Sequence, residues 1–259
     1  ISAPIAVATA IAARTKRLHV GMAVNVLPLN HPLRIAEEAA TVDHLSHGRF
    51  ELGIGRSGAA RTYDVLGIPY GESQARFLEA LEIIKEAWKG EPFSYDGKFY
   101  RFQNATVVPR PYQKPHPPLR MAANTPETFP LVAQMGLPIF VGLRDVDIPE
   151  LQVSLRAYRH AWTEAGHAAK PSVYLRIPVY AGLTETGALD EPRASITQFF
   201  RRHVDLMRAT VGRSGAGPAD LRAAKADALE RLSYEELLRT RVAFGTAPQL
   251  IERLRELRE

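Results

Sequence analysis

The chain has 259 residues, 46% hydrophobic and 24% charged, a balance that supports a sizeable buried core and excludes a disordered polyelectrolyte. No stretch reaches the roughly 20 consecutive apolar residues of a membrane span, and with no cysteine the sequence excludes disulfides, thiolate zinc sites and cysteine nucleophiles. The formal charge of +5, from 33 basic and 28 acidic side chains, is spread along the chain, so a solvated surface is expected rather than a nucleic-acid stripe.

Residues 4–14, PIAVATAIAAR, are Ala-rich and suit a helix. The run LHVGMAVNVL over 18–27 is apolar and β-branched, expected as one strand buried on both faces. Pro32 opens a helix through 45, PLRIAEEAATVDHL, whose apolar residues recur near the helical period. The turn SHGR leads to a second strand, FELGIG, over 50–55. Residues 72–88 read as a helix with Phe77, Leu78, Leu81, Ile84 and Trp88 on one face.

FSYDGKFYRF carries Asp96-Gly97 between aromatic flanks, a hairpin signal within an insertion over about 92–117, and the Pro-rich PRPYQKPHPP is an extended connector. Strands are expected at 119–123, 138–142 and 173–180, helices at 126–135 and 148–165. Residues 183–240 hold no clear strand and read as a mainly helical insertion broken over 212–218. A short strand at 242–244 and a helix at 247–257 complete the pattern.

Strands thus alternate with helices at short links, the signature of a parallel α/β sheet, either doubly wound or a (β/α)8 TIM barrel. No strand runs into a complete GxGxxG helix entry, which lowers the dinucleotide-binding option. The chain opens on Ile rather than Met and closes on ELRE in mid-helix, so material is expected to be missing at both ends. No signal-peptide pattern opens it, giving a cytoplasmic expectation.

Binding groups of a barrel collect at the C-terminal strand ends, and three such ends carry suitable chemistry. The first is Ala23-Val24-Asn25, where a polar Asn in an apolar strand needs a hydrogen-bond partner, with His31 in the loop behind it. The second is Gly55-Arg56-Ser57-Gly58, which offers a guanidinium fork beside small residues. The third is Ala123-Asn124-Thr125-Pro126-Glu127-Thr128: Asn124 or Thr125 suits an N-cap, Pro126 the first helical position, and free amides with two hydroxyls could hold an anion. Together they favour a phosphate-bearing ligand. His44 and His47 are separated by a turn and do not form a metal pair, and no GxSxG elbow supports hydrolysis.

The stretch TKRLHVGMAVNVLPLNHPLRIAEEAATVDHLSHGRFELGIGRSG over 15–58, with ESQARFLEALEIIKEAW, PLRMAANTPETFPLVAQMGLP and FGTAPQLIERLREL, resembles the bacterial luciferase-like monooxygenases. The resemblance covers nearly the whole chain and is weakest at 183–240. It implies a single domain over 1–259, a TIM barrel lacking its first two strands and its last. It also implies that the family's active-site histidine lies outside this sequence, so no catalytic residue is assigned.

By the resemblance, Ala23 and Val24 face a flavin ring across a non-proline cis peptide, with Asn25 beside them. Arg56 and Ser57 lie near the flavin phosphate, and Ala123, Asn124, Thr125 and Thr128 form the segment that binds it. Gly55 stands where bacterial luciferase carries a reactive cysteine, and a second phosphate arginine is replaced by Gln74 or supplied by Arg76. The implied reaction uses reduced FMN and O2 to oxidise a small organic substrate. A separate NAD(P)H:flavin reductase would supply the FMNH2, and the assembly would be a homodimer. Alternatives are an F420-dependent oxidoreductase of the same fold, or a non-catalytic flavin-binding partner subunit.

Overall fold

The computed structural model describes residues 3–214 and 218–258. The chain divides into two compact units, Ile1–Ala123 with Leu137–Phe140, and Asn124–Gly136 with Val141–Glu259.

The first unit contains α1 (Pro4–Arg14), β1 (Val20–Gly21), β2 (Asn25–Val26), α2 (Pro32–Leu45), β3 (Phe50–Gly55), α3 (Ala60–Val65), α4 (Ser73–Ala87), β4 (Phe93–Asp96), β5 (Arg101–Ala105) and β6 (Leu119–Ala122), with short 3-10 turns at Leu27–Leu29 and Tyr70–Glu72. β3 is its centre. It pairs in parallel with β1 (Val20↔Phe50), β2 (Asn25↔Ile54) and β6 (Leu52↔Leu119). β6 pairs in parallel with the start of β7 (Ile139–Gly142), Met121 opposite Ile139. Phe50, Leu52, Ile54 and Ile139 are fully buried, as strands covered on both faces require.

The single strand expected over 18–27 is instead two short ones. Both pair with β3, Gly21 opposite Glu51 and Asn25 opposite Ile54, so four steps along one chain match three along the other. One extra residue is accommodated between them. The Met22 carbonyl is thereby pushed towards β3, where a Cβ at Gly53 would lie 1.7 Å from its oxygen. Only glycine fits there.

α2 buries Ile35, Ala36, Ala39 and Ala40, while α4 buries Phe77, Leu81 and Ile84. Leu78, expected on that face, is 38% exposed. The Trp88 indole N–H donates to the Ala36 carbonyl at 3.0 Å, tying the end of α4 to α2. The predicted hairpin forms from β4 and β5, antiparallel. Its turn is anchored by Glu79, whose carboxylate accepts the backbone N–H of Phe99 and Tyr100 at 3.0 and 2.9 Å. Asp43, fully buried, accepts from the backbone N and side-chain amide of Gln113, which also reaches the Phe50 carbonyl. This pins the Pro-rich connector against the start of β3.

The second unit contains α5 (Thr128–Gln134), the last residues of β7, α6 (Ile148–Glu164), β8 (Val173–Arg176), β9 (Val179–Ala181), α7 (Glu185–Asp190), α8 (Arg193–Arg208), α9 (Ala219–Glu230), α10 (Tyr234–Thr240), β10 (Ala243–Gly245) and α11 (Ala247–Glu256). The helix expected from Pro126 starts two residues later, at Thr128. The strand expected over 173–180 is two: beyond Pro178, β9 leaves β8 and pairs in parallel with β10, Val179 opposite Ala243. Residues 183–240 are helical as expected, around a core of Ile196, Phe200, Val204, Met207, Leu229, Leu237 and Val242. Part of the predicted break over 212–218, residues 215–217, lies outside the described residues, as do the terminal residues 1, 2 and 259. The parallel α/β class read from the sequence is borne out.

Candidate functional site

β2, β3 and β6 run parallel in register, Val26 opposite Gly55 and Ile54 opposite Met121. Their C-terminal ends therefore leave the sheet at one edge, which gathers Asn25, Arg56, Ser57 and Ala123, with Ala23 and Val24 just before β2. A Cβ at Gly55 would lie 2.7 Å from Val24 Cγ2 and 3.6 Å from Ala122 Cβ. The small residue thus lets the three strand ends approach closely. The Ala23–Val24 peptide is cis, as the resemblance implies. Asn25 is buried, and its side-chain oxygen accepts from the Asn30 amide at 3.4 Å. Asn30 also donates to the Val26 carbonyl at 3.0 Å, folding the following loop back onto the strand end.

Arg56 is held rather than loose. Its guanidinium donates to the Ser73 hydroxyl at 3.2 Å and lies 5.8 Å from the centre of the Tyr70 ring. The Tyr63 hydroxyl donates to the Arg56 carbonyl, and the Tyr70 hydroxyl to the Ser57 carbonyl at 3.3 Å. Ser57 takes a left-handed φ of 65°, and its side-chain oxygen accepts the Ala59 N–H at 3.1 Å. Tyr63 and Tyr70 meet edge to face at 5.0 Å. Burial and Tyr70 push the Tyr63 hydroxyl above its usual range, against the smaller opposite pull of Arg56 and Ser73, so it stays a donor. Sequence reading missed Tyr63, Tyr70 and Ser73; the 3-10 turn that delivers Ser73 onto Arg56 has no sequence period of its own.

In the second unit, Asn124 and Thr125 are exposed and Thr128 half-buried. The Thr125 carbonyl accepts the Thr128 N–H at 2.9 Å, and the two hydroxyls share a hydrogen bond of 2.9 Å. Neither Asn124 nor Thr125 is the N-cap; Glu127 occupies that position without a side-chain cap bond. Pro126 is accordingly not the first helical residue.

Of the two candidates for a second phosphate contact, Gln74 is exposed. Arg76 is engaged elsewhere, paired with Glu72 at 2.8 Å and stacked 4.3 Å from the Phe99 ring centre. His31 precedes α2 without a cap bond and sits edge-on to Tyr100 at 5.5 Å. His44 and His47 both contact Tyr112 by ring edges. Among the described residues no group of three or more His, Cys, Asp or Glu is arranged to hold a metal, and no helix is long and apolar enough to cross a membrane.

The profile of the family described as luciferase-like monooxygenase matches residues 1–259. The oxygenase component of a flavin-dependent trigonelline monooxygenase from Acinetobacter baylyi is 29% identical over 180 residues, 69% of this chain and 50% of that protein. The chain therefore spans about half the length of that relative. The fold is similar to the oxygenating constituent of 3,6-diketocamphane monooxygenase from Pseudomonas putida, solved in complex with FMN (TM-score 0.78, 20% identity, 99% of this chain and 74% of that one). It is also similar to the coenzyme F420-dependent tetrahydromethanopterin reductase from Methanopyrus kandleri (TM-score 0.71, 18% identity, 98% and 78%).

Proposed function

Because the chain belongs to the luciferase-like monooxygenase family, we propose that it works in a flavin-dependent monooxygenase, binding reduced FMN and passing an oxygen atom from O2 to a small organic substrate. The observation that carries this reading is Arg56, a guanidinium held by Ser73 at the edge where three parallel strands end. Such a held cation suits the dianionic phosphate of FMN. Arg56 with the hydroxyl of Ser57 fits the group; in the second unit, taken by itself, the exposed Asn124 and Thr125 and the half-buried Thr128 offer donors of the same kind. Ala23, Val24 and Asn25 stand at the same edge as Arg56, where a ring system would lie against backbone and small side chains, and Ala123 ends β6 beside them.

When bound, reduced FMN supplies the electrons with which O2 is split between substrate and water. The chain's own part is to hold the phosphate, orient the ring and exclude water. The reading extends to residues 1–259 as one luciferase-like domain derived from a TIM barrel, and to a homodimer in a cytoplasmic setting. A separate NAD(P)H:flavin reductase supplies the FMNH2; the name of the Acinetobacter relative, an oxygenase component, supports that division of labour. Purified chain mixed with NADH and FMN should leave the flavin oxidised until a reductase is added. Rapid bleaching without one contradicts this part. Light scattering tests the dimer, with a monomer at micromolar concentration the contrary result.

F420 is the second reading, favoured by the likeness to an F420-dependent reductase. Equilibrium titration of the protein with FMN and with F420, followed by fluorescence, separates the two. Tighter binding of FMN supports the monooxygenase; tighter binding of F420 replaces it with an oxidoreductase.

A further inference from the structure

The β4–β5 hairpin lies apart from the edge that carries Arg56, yet its turn reaches both of the segments that flank that edge. α4 holds the hairpin along one side. Arg76, Glu79 and Glu82 follow one another at three-residue steps, so neighbouring side chains point the same way. Glu79 accepts the backbone N–H of Phe99 and Tyr100, and the Tyr95 hydroxyl donates to Glu82 at 2.9 Å. The Arg76 guanidinium lies 4.3 Å from the centre of the Phe99 ring. Three side chains of one helix thus fix the turn in place.

From that seat Tyr100 reaches the loop after β2. Its hydroxyl donates to the Asn30 carbonyl at 3.4 Å, and its ring meets His31 edge to face at 5.5 Å. Asn30 in turn donates its side-chain amide to the Val26 carbonyl at 3.0 Å and to the Asn25 oxygen at 3.4 Å. Asn25 is 4% exposed and stands in register with Ile54, two residues before Arg56.

On its other side Tyr100 adjoins Arg76. Burial pushes the Tyr100 hydroxyl up, against the opposite pull of the Arg76 charge and hydrogen bond. Arg76 pairs with Glu72 at 2.8 Å, and Glu72 precedes the Ser73 that holds Arg56. The contacts close a circuit: Arg56 to the start of α4, α4 to Tyr100, Tyr100 to the loop after β2, and that loop back to β3. What such a circuit fixes is a distance. A ligand that spans the guanidinium of Arg56 and the strand end at Asn25 gains from both only when their spacing matches its own length.

We propose that Tyr100 is a positioning residue for the flavin site: acting through Asn30 and Arg76, it holds the strand end at Asn25 at a fixed spacing from the Arg56 guanidinium. The inference rests on the flavin reading and deepens it by naming what sets that spacing. Loss of the hydroxyl penalises a ligand that spans both ends and spares one that touches a single end.

The test compares wild type with Tyr100→Phe, which keeps the ring against His31 and removes only the hydroxyl. Tyr95→Phe, which removes the Glu82 bond of the same hairpin, is the control. The probes are FMN and riboflavin, followed by fluorescence, and inorganic phosphate, followed by 31P NMR. In Tyr100→Phe the FMN affinity should fall about 3- to 10-fold, the effect of one neutral hydrogen bond, with riboflavin and phosphate affinities unchanged. Tyr95→Phe should bind all three as wild type does. A second arm needs no ligand. In chain labelled with 15N-asparagine, the Asn25 side-chain signals are identified by their loss in Asn25→Ser. They should move in Tyr100→Phe and stay in place in Tyr95→Phe. Unmoved Asn25 signals overturn the proposal, as does an unchanged FMN affinity in Tyr100→Phe. Equal losses for all three probes, or the same FMN loss in Tyr95→Phe, also overturn it, since either marks a general loosening of the hairpin. Wild-type protein that binds no FMN, with the Asn25 signals still moving, removes the flavin reading and leaves the circuit of contacts standing.

Discussion

The Arg56 guanidinium and the Ser73 hydroxyl meet at 3.2 Å, joining the residue after β3 to the first residue of α4. Ser73 is fully buried, so the bond is sheltered from solvent. Its job in the proposed site is to aim the cation. Ser73→Ala should weaken FMN binding about 3- to 10-fold, the effect of one hydrogen bond to a charged group lost indirectly. Fluorescence titration with FMN measures it, and an affinity equal to wild type removes Ser73 from the site.

Gly53 faces the carbonyl of Met22, and no side chain can share that space. Since the obstacle is backbone, Gly53→Ala should destabilise by about 3 kcal/mol or prevent soluble folding. Gly21→Ala is the control: nothing lies within 4 Å of its Cβ position, and its effect should stay within about 0.5 kcal/mol. Urea unfolding of the pair gives the comparison.

Asp145 makes stability depend on pH. Burial pushes its carboxyl up, but the His203 bond and the Arg144 charge outweigh it, and the value falls from an ordinary 3.8 to about 2 in the folded chain. A depressed folded value contributes stability that is present above the unfolded value and lost as pH falls through the folded one. The loss should therefore run from about pH 4 down to about pH 2, with a magnitude of about 2 kcal/mol. In Asp145→Asn this part of the acid-unfolding curve should flatten. An unchanged slope between those pH values contradicts the ion-pair account.

Glu79 holds the hairpin turn through two backbone N–H groups of the β4–β5 connection. Glu79→Ala leaves both without their acceptor and should cost about 1–3 kcal/mol. Limited proteolysis should then cut near residues 97–100 before the rest of the chain. A cleavage pattern identical to wild type shows the turn is held by other means.

Much of this was legible because it is local. α2 was read from Pro32 to Leu45 by apolar period and a proline start, and β3 by a short apolar run between turn residues. What failed was set by partners far along the chain. The division of 18–27 arises from a mismatch in step against β3, and that of 173–180 from pairing with β10, some 60 residues on. Arg56, Ser57 and Ala123 were found as strand-end residues, whereas Ser73 and Tyr70 reach Arg56 through a turn without periodicity. His203 is a different case. It lies on the buried stripe of α8 with Ile196, Phe200, Val204 and Met207. The helical period carried that signal, but its Asp145 partner, 58 residues earlier, did not.

The central claim is that Arg56 binds the phosphate of FMN, and comparing FMN with riboflavin in wild type and Arg56→Ala tests it most directly. A charge-assisted hydrogen bond contributes about 1.5–3 kcal/mol, so the variant should bind FMN roughly 10- to 100-fold more weakly. Riboflavin, which has no phosphate, should bind both proteins about equally. Parallel loss of riboflavin and FMN affinity would mean that Arg56 supports the fold rather than the ligand, and unchanged FMN affinity would place the phosphate elsewhere.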